Sequence, residues 1–221
     1  FNAQVINEFQ SVHCAVTYES LNPAIFPAGS PERKWVDSLA TRIDRKIEEI
    51  HKHHLKAYYF TDIIVLPKKL VEIYKDEDFR RPKTQEIHRI MLREIFDRFP
   101  TLDGLVIRVG ETYLHNIPYH TGNNPIPRDE KSWDHNFSYK SDGGEKIHRD
   151  LINLLRDEVC VKYNKKLFYR TWDFGYFHTN PEYYLNVTDY VPIHPNLYFC
   201  IKYVQGDYHR TYKFNRSEEH T

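Results

Sequence analysis

Five short apolar runs, each closing on polar or acidic residues and separated by stretches of helical periodicity, leave this chain very few folds to choose from. The runs are His13–Glu19, Leu55–Asp62, Leu102–Glu111, Leu167–Asp173 and Leu197–Asp207. Short apolar runs bounded in this way read as parallel strands buried on both faces. Between the first two, Ser30-Pro31-Glu32 supplies a capping hydroxyl, a proline at the first helical position and an acid in the first turn. Trp35, Val36, Leu39, Ile43, Ile47 and Ile50 then line one helical face, up to a basic end at His51–His54. A second helix is predicted from Lys83-Thr84, burying Ile87, Ile90, Met91, Ile95 and Phe96 and stopping at Phe99-Pro100. A third follows Asp142–Glu145 with Ile147, Leu151, Leu154, Leu155 and Val159 inward, and short helices are read at Pro67–Tyr74 and from Asn180 to Tyr184.

Strand and helix in strict alternation imply parallel strands joined by right-handed crossovers. Two folds meet that description, a doubly wound sheet and a (β/α)8 barrel. No Gly-X-Gly-X-X-Gly and no Gly-X-X-X-X-Gly-Lys-Ser/Thr follows any run, which removes the main support for a nucleotide-binding doubly wound sheet. Acids at successive strand ends favour the barrel, whose chemistry sits at the carboxyl ends of the strands. Eight units typically take about 250 residues. The expectation is therefore an α/β fold in which residues 1–221 form about five βα units of a TIM-type barrel, the remaining strands lying outside this chain. Residues 112–144 form a long polar loop after the third strand, and Tyr113, Tyr119, Trp133 and Phe137 within it point to a packed, substrate-contacting segment.

Composition excludes several classes of function. With 31 basic and 31 acidic residues the formal net charge is zero, so no field gathers nucleic acid. No run approaches the roughly 20 apolar residues of a membrane span. Phe1-Asn-Ala-Gln lacks the regions of a signal peptide, and a start without methionine leads us to expect a processed or partial chain. Aromatic content is 15%, with 17 tyrosines, which suits both a core and walls that stack on sugar rings. Asn136, Asn186 and Asn215 head Asn-X-Ser/Thr triplets, and these glycosylation candidates favour a secreted or extracellular chain over a cytoplasmic one. Cys14, Cys160 and Cys200 have no metal-binding spacing, and Cys14 and Cys200 are expected in the core. Of 13 histidines, His51, His53 and His54 are explained by a helix carboxyl end, and His115, His120 and His135 lack paired ligand spacing. No metal and no cofactor is expected, and no Gly-X-Ser-X-Gly elbow supports a serine nucleophile.

The strand ends carry the candidate chemistry. Glu111 follows Val109-Gly110 where the backbone is permissive, and convergence of strand ends would raise its pKa toward that of a general acid. Asp207, after Gly206 beyond the last run, is the second candidate, and acid and base on different strand ends can face each other across a sugar. Asp173 beside Trp172 serves as a binding or orienting carboxylate. Arg170, Lys202 and Arg210 would either meet an anionic substrate group or neutralise the site's own acids. Glu19, Asp62, Arg108, Tyr113, Arg170, Trp172, Asp173 and Lys202 complete the predicted substrate-binding set, for a carbohydrate partner.

At Asp103-Gly-Leu-Val-Ile-Arg-Val-Gly-Glu111, Lys166–Asp173 and Asn196–Asp207 the chain resembles the catalytic barrel of the α-glucuronidases of glycoside hydrolase family 67. The resemblance runs from about Leu55 to Asp207. It implies that Glu111 is the general acid and that Asp207 is one of two carboxylates activating water, the other falling outside this sequence. Arg108-Val-Gly110 stands where the family carries Lys-Ala-Asp-Ser, and the glycine–aspartate spacing before Asp207 differs. The resulting expectation is an inverting glycoside hydrolase, with uronate-containing substrates suggested by the resemblance. The alternatives are a carbohydrate-binding or structural glycoprotein that kept the barrel without turnover, and a metal-dependent hydrolase using the loop histidines.

Overall fold

A computed structural model of the chain describes residues 2–7, 12–62, 65–75, 79–108, 117–122, 144–171, 177 and 180–201. In chain order the elements are β1 (Ala3–Ile6), α1 (Pro31–Lys52), β2 (Lys56–Asp62), β3 (Val65–Pro67), α2 (Lys68–Tyr74), α3 (Pro82–Arg98), β4 (Gly104–Arg108), β5 (His120–Gly122), α4 (Gly144–Leu155), β6 (Lys166–Arg170), α5 (Pro181–Thr188) and β7 (Leu197–Cys200). A 3-10 turn at Val12–Ala15 follows β1, and α4 runs on into a π-helical stretch, Arg156–Lys162.

The fold is mixed α/β, built on a five-stranded sheet in the order β1-β2-β4-β6-β7 with every neighbouring pair parallel. Order in space repeats order in sequence. A doubly wound sheet reverses its order at a switch point, and no reversal occurs among these strands. Since right-handed crossovers that always step the same way leave their helices on one side, the two faces of the sheet should differ. They do. Ala57, Tyr59, Thr61, Leu105, Ile107, Leu167 and Tyr169 are all fully buried, whereas on the opposite face Tyr58 and Phe60 of β2 are buried but Val5 and Tyr198 on the edge strands are 47% and 38% exposed.

Local chemistry explains the helices. The Ser30 hydroxyl accepts from the Arg33 amide at 3.1 Å, with Pro31 as the first helical residue of α1. Val36, Leu39, Ala40, Ile43, Ile47 and Ile50 make up its buried stripe. In α3 the buried residues include Ile87, Met91, Leu92, Ile95 and Phe96, and Ile147, Leu151, Leu154, Leu155 and Val159 bury the third long helix as the periodicity predicts. β4 and β6 meet unusually closely: a Cβ on Gly104 would stand 2.0 Å from the Lys166 carbonyl oxygen.

Three expectations are corrected. The first strand is Ala3–Ile6, not the run His13–Glu19. Val12, His13, Cys14 and Ala15 are buried in succession within the 3-10 turn, and an unbroken apolar run of this kind has no period to distinguish it from a buried strand. Glu19 accordingly lies in a turn before α1, with its carboxylate 3.2 Å from the Arg33 guanidinium. Cys200 is on β7 as expected, but it is exposed rather than core, because its face of the sheet is the one the helices do not cover. Within the 112–144 segment, β5 pairs antiparallel with β3 through His120–Pro67, Thr121–Leu66 and Gly122–Val65.

Candidate functional site

In a parallel sheet the carboxyl ends of all strands point the same way, so the last residues of β2, β4, β6 and β7 form one rim. Asp62, Arg108, Arg170 and Cys200 occupy those positions. Asp62 is in register with Arg108 and Arg170 with Cys200, and Ile107 beside Tyr169 brings Arg108 to the Arg170 level. Strand alternation puts all four positions on the uncovered face. Three of the predicted substrate-binding residues, Asp62, Arg108 and Arg170, thus share one edge.

Aromatic rings back this rim on the same face. Tyr58 and Phe168 meet edge to face at 5.0 Å, Phe168 and Tyr198 stack at 5.0 Å, and the Arg170 guanidinium carbon stands 5.1 Å from the Phe60 ring centre. A guanidinium held over a ring keeps its five donors oriented outward without losing its charge. The sheet therefore presents a cation above an aromatic floor. That floor was not predicted, although the period-2 placement of Tyr58 with Phe60, and of Phe168 with Arg170, carries the signal.

Behind the rim, the Thr61 hydroxyl and His13 Nδ1 are 2.5 Å apart, tying the end of β2 to the 3-10 turn. Burial lowers the His13 pKa to about 3, with the nearby His120 and His88 adding to the effect. This ring remains neutral across the physiological range.

The opposite end of the sheet has a cavity of about 680 Å³ bounded by Asn2, Lys56, Asp103, Lys165, Lys166 and Asn196, among others. Asp103 dominates it and is fully engaged: Lys56 Nζ donates at 2.9 Å, the Ala57 amide at 2.9 Å, and His51 Nε2 lies at 2.9 Å. Partial burial pushes the Asp103 pKa up, but these hydrogen bonds outweigh it and hold the carboxyl below its usual value. An acid committed to three neighbours is a buttress joining β2, β4 and α1 rather than a reagent.

Glu111, Tyr113, Trp172, Asp173, Lys202, Asp207 and Arg210 lie outside the described residues, as do Asn136 and Asn215. Asn186 lies on α5, where its side-chain amide donates to Glu145 at 3.2 Å. Among the described residues no group of three or more His, Cys, Asp or Glu is arranged to hold a metal ion, and no helix is long and apolar enough to cross a membrane. No family model and no curated protein matches the chain.

Proposed function

We propose that the chain is the larger part of a (β/α)8 barrel and that it hydrolyses a glycosidic bond, by inversion and without a cofactor. One observation supports the barrel: the five strands of the parallel sheet, β1, β2, β4, β6 and β7, keep a spatial order that never departs from their sequence order. Continued in the same sense, such a sheet curls toward closure, and its carboxyl rim becomes the mouth where barrel enzymes work.

Asp62, Arg108 and Arg170 supply binding groups at that mouth, and an arginine pair beside an acid suits an anionic sugar such as a uronate. Glu111 follows Arg108 by three residues in sequence. Strict alternation would assign Arg108 and Glu111 to opposite faces, so the proposal needs the strand to end before Glu111, and Gly110 is the residue that permits it. In the reaction Glu111 gives its proton to the leaving oxygen as the anomeric C–O bond breaks. Water attacks from the other side, losing its proton to the carboxylate pair that includes Asp207.

The test is turnover on a panel of aryl glycosides and uronate-bearing oligosaccharides, for the unmodified chain, Glu111→Gln and Asp207→Asn. Each substitution should lower kcat about a hundred-fold or more with binding retained. Unchanged turnover in either variant overturns the assignment of that residue, and oligosaccharide bound by the unmodified chain without cleavage favours the non-catalytic reading.

A further inference from the structure

Four histidines of the described chain are essentially fully buried, and they are buried in two different ways. His148 on α4 sits between hydroxyls, with Nε2 2.7 Å from the Tyr169 oxygen and Nδ1 3.4 Å from that of Tyr183. Either ring nitrogen of His148 can exchange the role of acceptor for donor, because a hydroxyl accepts as readily as it donates. His88 and His120 have no such partner, and His13 has a hydroxyl, that of Thr61, at one ring nitrogen. His88 Nδ1 donates to the Thr84 carbonyl at 2.8 Å and His120 Nδ1 to the Pro118 carbonyl at 2.8 Å, which fixes both rings with an unprotonated Nε2. His13 engages Thr61 through Nδ1. In all three, Nε2 is buried without a hydrogen-bond partner among the described residues.

These rings come from three parts of the chain and converge on one region. The 3-10 turn that carries His13 packs against α1, β2, β3 and α3. His88 projects from α3 against the Phe79 ring at 5.4 Å. His120 opens β5 and lies 5.7 Å from both Phe26 and Trp35. β3, which pairs antiparallel with β5, begins three residues after Asp62, next to the carboxyl rim in the chain path. The titratable groups around the trio offer no compensation. His13 feels His88 and His120, and His120 feels Lys68 of α2, all of them cationic when charged. Cys14 and Tyr18 are held neutral by burial, and Glu94 of α3 is occupied by the Tyr18 and Ser20 amides and the Ser20 hydroxyl.

We propose that His13, His88 and His120 form an acid-sensitive latch that fastens the β3–β5 ladder beside the carboxyl rim and releases it when a ring takes up a second proton. On His88 or His120 that proton creates a buried charge at an Nε2 with no acceptor among the described residues, and on His13 it adds a charge beside two further histidines, so the ring must reach water and the packing of the 3-10 turn against α3 and β3 must part. Burial lowers His88 and His120 to about 4 and His13 to about 3, whereas an opened ring returns to about 6.5. The open form therefore binds more protons, the latch holds fully above pH 6.5, and it weakens as pH falls through the interval down to about 4. For each ring that opening exposes, the opening equilibrium grows about twenty-fold between pH 7 and pH 5. The inference does not depend on the hydrolase reading.

Site-resolved hydrogen exchange, corrected for intrinsic rates, tests it on the unmodified chain between pH 7 and pH 5. Amides of Val65, Leu66 and residues 119–122 should lose at least ten-fold in protection while those of the central strand β4, which carries no histidine, keep theirs. Protection of the β3–β5 ladder that is flat with pH, or that falls in step with β4, overturns the latch. His120→Gln should reduce the acid response of the ladder if it folds, and an undiminished response counts against the proposal. Should that variant not fold, the unmodified chain decides alone.

Discussion

Gly104 is where a single atom decides whether two strands can meet. A Cβ there would lie 2.0 Å from the Lys166 carbonyl oxygen and 2.8 Å from its carbon, and both are backbone atoms that cannot swing aside. Relief requires β4 to move away from β6 at the start of their shared ladder, where Gly104 is in register with Lys166. Gly104→Ala should therefore destabilise the chain by about 1–3 kcal/mol, the usual cost of overpacking. Urea unfolding would show it as a lower midpoint with an unchanged slope, and an unshifted midpoint would mean the strands have room to spare. Gly29 offers the contrast. Its φ of +80° demands glycine for conformation, while nothing lies within 4 Å of an added Cβ. At this scale the rim was legible in part: the run Leu55–Asp62 ends where β2 ends, whereas Arg108 and Arg170 close β4 and β6 within runs read as continuing to Glu111 and Asp173, which lie outside the described residues. The buried histidines were not legible: residues 13, 88 and 120 have no sequence relation, and only packing of the 3-10 turn against α3 and β3 brings them together.

Among the elements, the helices with local signals and the strands β2, β4, β6 and β7 with distinct apolar runs lie where the sequence places them, whereas β1, β3 and β5 were missed. α1 has its own start signal, Ser30 with Pro31 and Glu32, and its own stripe, and it folds as read. β1 has neither. Its four residues, Ala3-Gln4-Val5-Ile6, bury only Ile6 and gain their strand geometry from pairing with β2. The three-residue strands β3 and β5 are too short to show any period and lie far apart in sequence, so their pairing is invisible before the fold exists. This difference predicts how α1 responds to loss of its cap. The Ser30 oxygen satisfies the Arg33 amide, one of the amide groups a helix start leaves unpaired, so Ser30→Ala should cost about 1 kcal/mol. Ser30→Asp should recover most of that cost, since a carboxylate also caps and is favoured by the helix dipole. Thermal or urea denaturation of the pair checks both, and equal stability of Ser30→Ala and the parent would show that packing of the stripe alone sets the helix start.

For the molecule as a whole, the question is what the five-stranded sheet does with its two sides and two edges. One side is closed by helices, and the other carries the buried Tyr58 and Phe60 and the exposed Val5 and Tyr198, with Arg170 over the Phe60 ring. β4 has a neighbour on either hand, β2 and β6, whereas β1 and β7 each have one among the described strands. Closure of a barrel removes such edges, and an open sheet retains them. Native-state hydrogen exchange distinguishes the two conditions directly. If this chain holds an open five-stranded sheet, protection should be greatest for Leu105–Ile107 in β4, intermediate in β2 and β6, and lowest in β1 and β7, because opening an edge strand exposes less apolar surface than global unfolding does. Equal protection across all five strands would instead mean that β1 and β7 are themselves paired. A concentration dependence of that protection would then assign the pairing to a second copy, and its absence would assign it to pairing within the chain itself.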